Sequence, residues 1–179
     1  MKIIILGGQG SGKSTQAKSI AQKLNLPCVE MGQILRDRSS ANDQYSEKIQ
    51  SALALGDLVE DNITMKLLHD RLKQPDCRKG YVLDGYPRNF AQIEGVDKDI
   101  DIVFFIRISD HEAVKRLIGR GRSDDNFDVL RRRLELFHQK TEPLLEYFKE
   151  NGKLEEIDGE RSVETIEQDI ARRIENVRN

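Results

Sequence analysis

Cysteine is scarce in this chain: Cys28 and Cys77 are the two thiols among 179 residues. Neither stands in C-x-x-C spacing or has a histidine partner, which argues against a disulfide framework and against zinc. Two small, reduced, partly buried side chains are expected instead. Long hydrophobic runs are also missing. The longest apolar stretches are five or six residues, far below the roughly 20 that span a bilayer, and no signal-peptide apolar segment precedes Gly7. A soluble, cytoplasmic protein with no membrane partner is expected. An excess of one charge is absent too, since Lys+Arg 29 against Asp+Glu 31 leaves a formal net charge of −2 although 34% of the residues are charged. No polybasic face for nucleic acid follows, so the basic residues must act locally. Repeats and low-complexity segments do not occur. His69, His111 and His138 have no carboxylate or nucleophile pattern around them and are given no catalytic role. Without an obvious apolar stripe, a monomer is expected.

Glycine, by contrast, is concentrated near the start. Gly7-Gly8-Gln9-Gly10-Ser11-Gly12-Lys13-Ser14 spells G-x-x-x-x-G-K-[ST] directly after Ile3-Ile4-Ile5-Leu6, the strand-then-helix context in which such a loop cradles phosphate. Glycines let successive backbone N–H groups turn inward without Cβ clashes, and the following helix adds its positive N-terminal end. Lys13 then reaches the β/γ-phosphates. Ser14, or alternatively Thr15, offers a hydroxyl to a phosphate-bound Mg²⁺.

Periodicity predicts five strands: Lys2 to Leu6, Leu26 to Val29, Tyr81 to Leu83, Ile102 to Ile106 and Leu154 to Ile157. Helical patterns are predicted over 13–24, 32–38, 43–54, 62–73, 89–95, 110–119, 126–149 and 162–177, with Asp110 and Ser162 as N-caps and Pro143 bending or splitting the long seventh segment. Such alternation, with 179 residues enough for one domain, predicts an α/β fold: a doubly wound, three-layer α/β/α arrangement of the P-loop NTPase kind around a five-stranded parallel sheet. Ligands of such sheets gather at the carboxyl ends of the strands. There the third strand is followed by Asp84-Gly85-Tyr86-Pro87-Arg88. An Asp beside a triphosphate has one economical task, holding Mg²⁺ directly or through its waters. Arg88 is placed to grip phosphate oxygens with its guanidinium fork.

These motifs together resemble the nucleoside monophosphate kinases, and within them the adenylate kinases. Beyond the phosphate loop with Thr15-Gln16, the likeness rests on Met31-Gly32-Gln33-Ile34-Leu35-Arg36, on Gly56-Asp57-Leu58-Val59, on Asp84 to Arg88 with Gln92, and on Gly121-Arg122-Ser123-Asp124-Asp125-Asn126 with Arg133. The resemblance implies one domain over residues 1–179, carrying a monophosphate-binding insert at about 30–59 and a lid at about 120–126. It implies reversible, Mg²⁺-dependent transfer of the γ-phosphoryl of ATP to AMP, with ATP and AMP as the small-molecule partners. It further implies ATP contacts at Gly10, Ser11, Gly12, Lys13, Ser14, Thr15, Arg116, Arg120 and Arg161. AMP contacts fall at Met31, Gly32, Arg36, Asp57, Leu58, Val59, Gly85, Tyr86, Arg88, Gln92, Arg122 and Arg133. Lys13, Arg88, Arg120, Arg122 and Arg133 carry the transfer, with Ser14 and Asp84 toward the metal and Asp124 and Asp125 positioning the lid arginines.

Arginine predominates because two anionic phosphates must meet without water, and an acceptor that is already anionic requires no general base. Arg131 and Arg132 are expected on a solvated helix face. The chain departs from the family pattern at Met31 and Gln33, where Thr or Ser and Asp are common, at Gln9 and Ser14 within the loop, and in a lid so short that only Gly121 separates Arg120 from Arg122. A thioether packs on a base but bonds it poorly, which keeps a UMP/CMP or deoxynucleotide kinase open. Gln92 favours AMP, because its amide both donates to and accepts from an adenine edge. Shortening of the lid puts water exclusion in question and leaves a non-catalytic nucleotide-binding module as the different-class reading. A P-loop GTPase is disfavoured, since no Asn or Thr followed by Lys-x-Asp is present to read guanine.

Overall fold

The computed structural model describes residues 1–118 and 127–178. Five strands form one sheet, β1 (Lys2–Leu6), β2 (Cys28–Glu30), β3 (Tyr81–Asp84), β4 (Ile102–Arg107) and β5 (Leu154–Asp158). All pairings are parallel, in the spatial order β2-β3-β1-β4-β5. The strand count and the parallel sense agree with the sequence. The second strand starts two residues later than expected, after Pro27, which has no N–H to give to a ladder and serves through its carbonyl, accepting from Val82 N at 2.9 Å.

Strand alternation divides the core in two. Ile3 and Ile5 of β1 face helix α1 (Lys13–Leu24) and the C-terminal helix, numbered α8 (Val163–Arg178), whose Ile166, Ile170 and Ile174 recur every fourth residue as one buried stripe. Ile4 and Leu6 face the opposite layer. That layer gathers α2 (Met31–Ser39), α3 (Ser46–Leu55), α4 (Asp61–Leu72) and, further along the chain, α7 (Leu144–Glu150). Burying each Ile or Leu contributes at most about 1.5–3 kcal/mol. The result is the expected three-layer α/β/α fold. No helix among the described residues is long and apolar enough to cross a membrane.

The chain differs from expectation at element ends. Asp110 is the first residue of α5 (Asp110–Ile118) rather than its cap; Ser109 caps it, its hydroxyl accepting from Glu112 N at 3.3 Å. Ser162 caps α8 as expected, accepting from Thr165 N at 3.2 Å. The stretch expected as helix over 126–149 becomes α6 (Phe127–Leu136), one π-helical turn at Phe137–Thr141, and α7 beginning after Pro143. Pro143 splits it because proline cannot donate within a continuing helix. Residues Phe90–Gly95 form a 3₁₀ turn rather than an α-helix.

Candidate active site

The phosphate loop joins β1 to α1 at the carboxyl edge of the sheet. Two of its glycines are required by geometry. Gly10 has φ +81°, and a Cβ there would lie 2.9 Å from the Ala113 carbonyl oxygen of α5; Gly12, preceding α1, has φ +84°. The loop turns through Ser11 N donating to Gly8 O at 3.3 Å, and Lys13 Nζ donates to the same carbonyl at 3.1 Å. The first-turn N–H groups of α1, at Lys13, Ser14 and Thr15, are those a helix leaves for an anion. Of the two candidate hydroxyls, Ser14 is the one directed into the site: it donates to Asp84 Oδ2 at the end of β3, while Thr15 is exposed.

Asp84 is 5% exposed, and its Oδ1 has no hydrogen-bond partner among the described residues. A buried carboxylate oxygen left over beside a hydroxyl, at the foot of a phosphate loop, is a donor set that fits a hard divalent cation such as Mg²⁺. Lys13 and Ser14 share one cleft with Asp84, Gly85, Arg88 and Arg133, and the facing wall brings Met31, Gly32, Arg36, Leu58, Val59 and Gln92. Asp57 lines this cleft as well. The sheet's carboxyl edge therefore joins residues as far apart in sequence as Lys13 and Arg133.

Arg36, Arg88 and Arg133 line this cleft together. Arg88 Nε donates to Gly85 O at 2.7 Å, and burial holds the guanidinium below the usual arginine range; Asp84 opposes that shift and the neighbouring cation of Arg133 adds to it. Arg133 Nη2 lies 3.4 Å from Leu53 O, and Arg36 Nη2 donates to Gln33 Oε1 at 2.9 Å. A guanidinium whose charge is disfavoured by burial and by a neighbouring cation, with a third arginine lining the same cleft, gives the cleft the character of a candidate anion site. Cys28 plays no nucleophilic part: burial, then Glu30 and Asp84, push its thiol up to about 12.

Other expected residues sit elsewhere. Tyr86 is fully buried with its hydroxyl donating to Gln92 O at 2.6 Å, beneath the cleft rather than in its lining. Ser11 is buried within the loop. Arg116 lies over the loop, donating to Glu112 at 2.7 Å and Gly159 O at 3.0 Å, with Gly10 O at 3.5 Å. Arg161 donates to the Asp158 carbonyl and to Asp169, at 3.1 and 2.9 Å, and is not among the residues lining this cleft. Arg120, Arg122, Asp124 and Asp125 lie outside the described residues. Arg132 is exposed, as expected, and its Nε donates to Asp57, just past the end of α3, at 2.7 Å.

Sequence reasoning passed over Asp61 and Thr141. Asp61 accepts from Asn89 and Gln92 at 2.8 and 2.7 Å, and Thr141 Oγ1 donates to Arg88 O at 2.8 Å. An acidic residue in a first helical turn is ordinary dipole compensation in sequence, so only its neighbours in space single out Asp61.

Comparison with known proteins gives the same direction. A family model described as Adenylate kinase matches residues 5–153. A protein of Thermobifida fusca named Adenylate kinase is 37% identical over 179 residues, covering 94% of this chain and 95% of that protein. Another so named, from Mycobacterium ulcerans, is 38% identical over 155 residues, covering 83% of this chain and 86% of its own. A third, from Archaeoglobus fulgidus, is 30% identical with both chains fully covered. With a family match over most of its length and a phosphate loop, acidic strand end and arginine cluster on one cleft, the chain belongs to the adenylate kinase family of nucleoside monophosphate phosphotransferases.

Proposed function

We propose that the protein catalyses reversible phosphoryl transfer from ATP to AMP, giving two ADP, with each site residue in the role its neighbours support. The observation that carries the assignment of roles is the convergence of the phosphate-loop Lys13 with Arg36, Arg88 and Arg133 on one cleft that has no histidine in its lining among the described residues. An AMP phosphate oxygen attacks the γ-phosphorus, the bond to the β-bridging oxygen breaks, and ADP leaves with that electron pair. Arg36 and Arg88 hold the acceptor phosphate. Lys13 follows the γ-phosphoryl, and Arg133 meets its equatorial oxygens. No proton need be removed from the acceptor, consistent with an arginine site rather than an acid–base site. Ser14 and Asp84 are the residues that would hold Mg²⁺, which when bound neutralises phosphate charge and orients the triphosphate.

Residues about 30–59 serve as the monophosphate-binding insert of a single domain, and about 120–126 as a short lid contributing Arg120 and Arg122. Gly10, Ser11, Gly12, Thr15 and Arg116 shape the ATP side, with Arg161 beside it. Met31, Gly32, Asp57, Leu58, Val59, Gly85 and Gln92 bound the AMP side over the buried Tyr86. A monomeric, cytoplasmic enzyme is the expected setting. The test is diphosphate formation from Mg·ATP with AMP, dAMP, CMP, UMP and GMP supplied separately. AMP-dependent ADP above the ATP-only blank is expected. A pyrimidine preference would overturn the acceptor assignment, and hydrolysis indifferent to acceptor would overturn transfer itself.

A further inference from the structure

Gln92 is 1% exposed, lines the acceptor side of the cleft, and has each end of its amide occupied by a partner of fixed character. Its Oε1 accepts from the backbone N–H of Arg88 at 2.8 Å, and its Nε2 donates to Asp61 Oδ1 at 2.7 Å. A backbone N–H only donates, and a carboxylate only accepts. Turning the amide over would set N–H against N–H at Arg88 and oxygen against oxygen at Asp61, so the chemistry of the partners decides which end is which. Asn89 reinforces the arrangement: its Nδ2 donates to the same Asp61 Oδ1 at 2.8 Å and its Oδ1 accepts from Gln92 N at 3.0 Å.

An amide has two N–H donors and two lone pairs. One of each is used by Asp61 and Arg88, leaving the amide one N–H and one lone pair for a base. That pair matches a 6-aminopurine, whose ring N1 accepts and whose exocyclic N6 donates. A 6-oxopurine in the same pose presents the reverse order, oxygen at position 6 and a donor at N1, and would need the turned amide.

We infer that Asp61 is a positioning residue that locks the Gln92 amide in one orientation and thereby makes the acceptor site reject 6-oxopurine monophosphates. The inference rests on the reading of AMP as acceptor and of Gln92 as its base contact. A freely turning glutamine would serve either purine; one held between an obligate acceptor and an obligate donor serves one, and leaves buried groups unpaired with the other, the situation that yields strong discrimination.

The experiment compares kcat/KM for AMP and for IMP in the wild type, Asp61→Asn and Asp61→Ala, with Tm recorded for each. The wild type should prefer AMP by at least about a hundredfold. Asp61→Ala should cut that preference at least about tenfold, with kcat/KM for IMP rising in absolute terms. Asp61→Asn keeps the size of the side chain but can present either end of its own amide, and should fall between the two. A merely structural role would lower both acceptors in the same proportion. Folded variants that keep the AMP-to-IMP ratio within about twofold of wild type overturn the lock while leaving AMP as acceptor. If Asp61→Ala does not fold, Asp61→Asn decides. A wild type without AMP preference over IMP would instead overturn the base contact on which the inference rests.

Discussion

Replacing Arg88 with alanine separates what this side chain does for the reaction from what it does for the fold. One of its five N–H donors is spent on Gly85 O at 2.7 Å, leaving the planar Nη pair for the acceptor phosphate. Two charge-assisted hydrogen bonds of about 1.5–3 kcal/mol each amount to about 3–6 kcal/mol, or a fall in kcat/KM for AMP of about 10²- to 10⁴-fold. On the stability side, losing the bond to Gly85 costs about 1 kcal/mol. Relief of burial and of repulsion from Arg133 offsets this, so Tm should move by no more than about 4 °C. Arg88→Lys keeps a charge but not the fork, and should stay at least about tenfold below wild type. The assay is initial-rate ADP formation with varied AMP, alongside calorimetric melting without nucleotide. Turnover within tenfold of wild type in Arg88→Ala would refute the acceptor-phosphate role. A Tm loss far beyond 4 °C would show that the guanidinium is part of the scaffold instead.

Asp84→Asn leaves the Ser14 contact possible but removes charge from the buried Oδ1, so the Mg²⁺ concentration for half-maximal transfer should rise at least about tenfold; calorimetric binding of AMP alone should be unchanged, and an unchanged Mg²⁺ requirement would sink the assignment. Gly10→Ala places a Cβ 2.9 Å from the Ala113 carbonyl at φ +81°, costing about 1–2 kcal/mol and about 2–8 °C in Tm; a wild-type melting curve would contradict it. His138 lies between two carboxylates, Nδ1 at 2.7 Å from Glu142 and Nε2 at 3.0 Å from Asp110, and the protonated ring donates to both. Glu142 raises its pKa, burial opposes that, and Asp110 adds to it. A raised folded-state pKa means stability present below about pH 6.5 and lost as pH rises through the folded value. The Tm drop from pH 6 to pH 8.5 should therefore be smaller in His138→Gln, and equal drops in the two proteins would rule out this contribution.

Much of the architecture was local and so legible in sequence. Apolar runs of Ile and Val bounded by helical patterns announced buried parallel strands, because a strand covered on both faces needs no alternation. The G-x-x-x-x-G-K-[ST] loop was legible because its glycines answer a backbone requirement within eight residues. Element ends were less so. Ser109 rather than Asp110 caps α5, and the π turn at Phe137–Thr141 interrupts a pattern that reads as continuous helix, since side chains of similar propensity compete for the same cap or turn and packing chooses between them.

The acceptor site divides in the same way. The sequence by itself determined which residues are candidates for phosphate chemistry: Lys13, Arg36, Arg88 and Arg133 supply cationic donors, and Ser14 and Asp84 supply oxygen ligands. Tertiary structure alone decided which hydroxyl faces Asp84, why Arg161 is engaged by Asp169 instead of the cleft, that Arg132 spans to Asp57, and that Asp61 and Arg88 N hold Gln92 from opposite sides. Composition and spacing record what a side chain can donate or accept. Which partner it meets depends on how the parallel sheet brings the ends of β1, β2 and β3 to one edge, and that information lies in contacts between residues far apart in the chain.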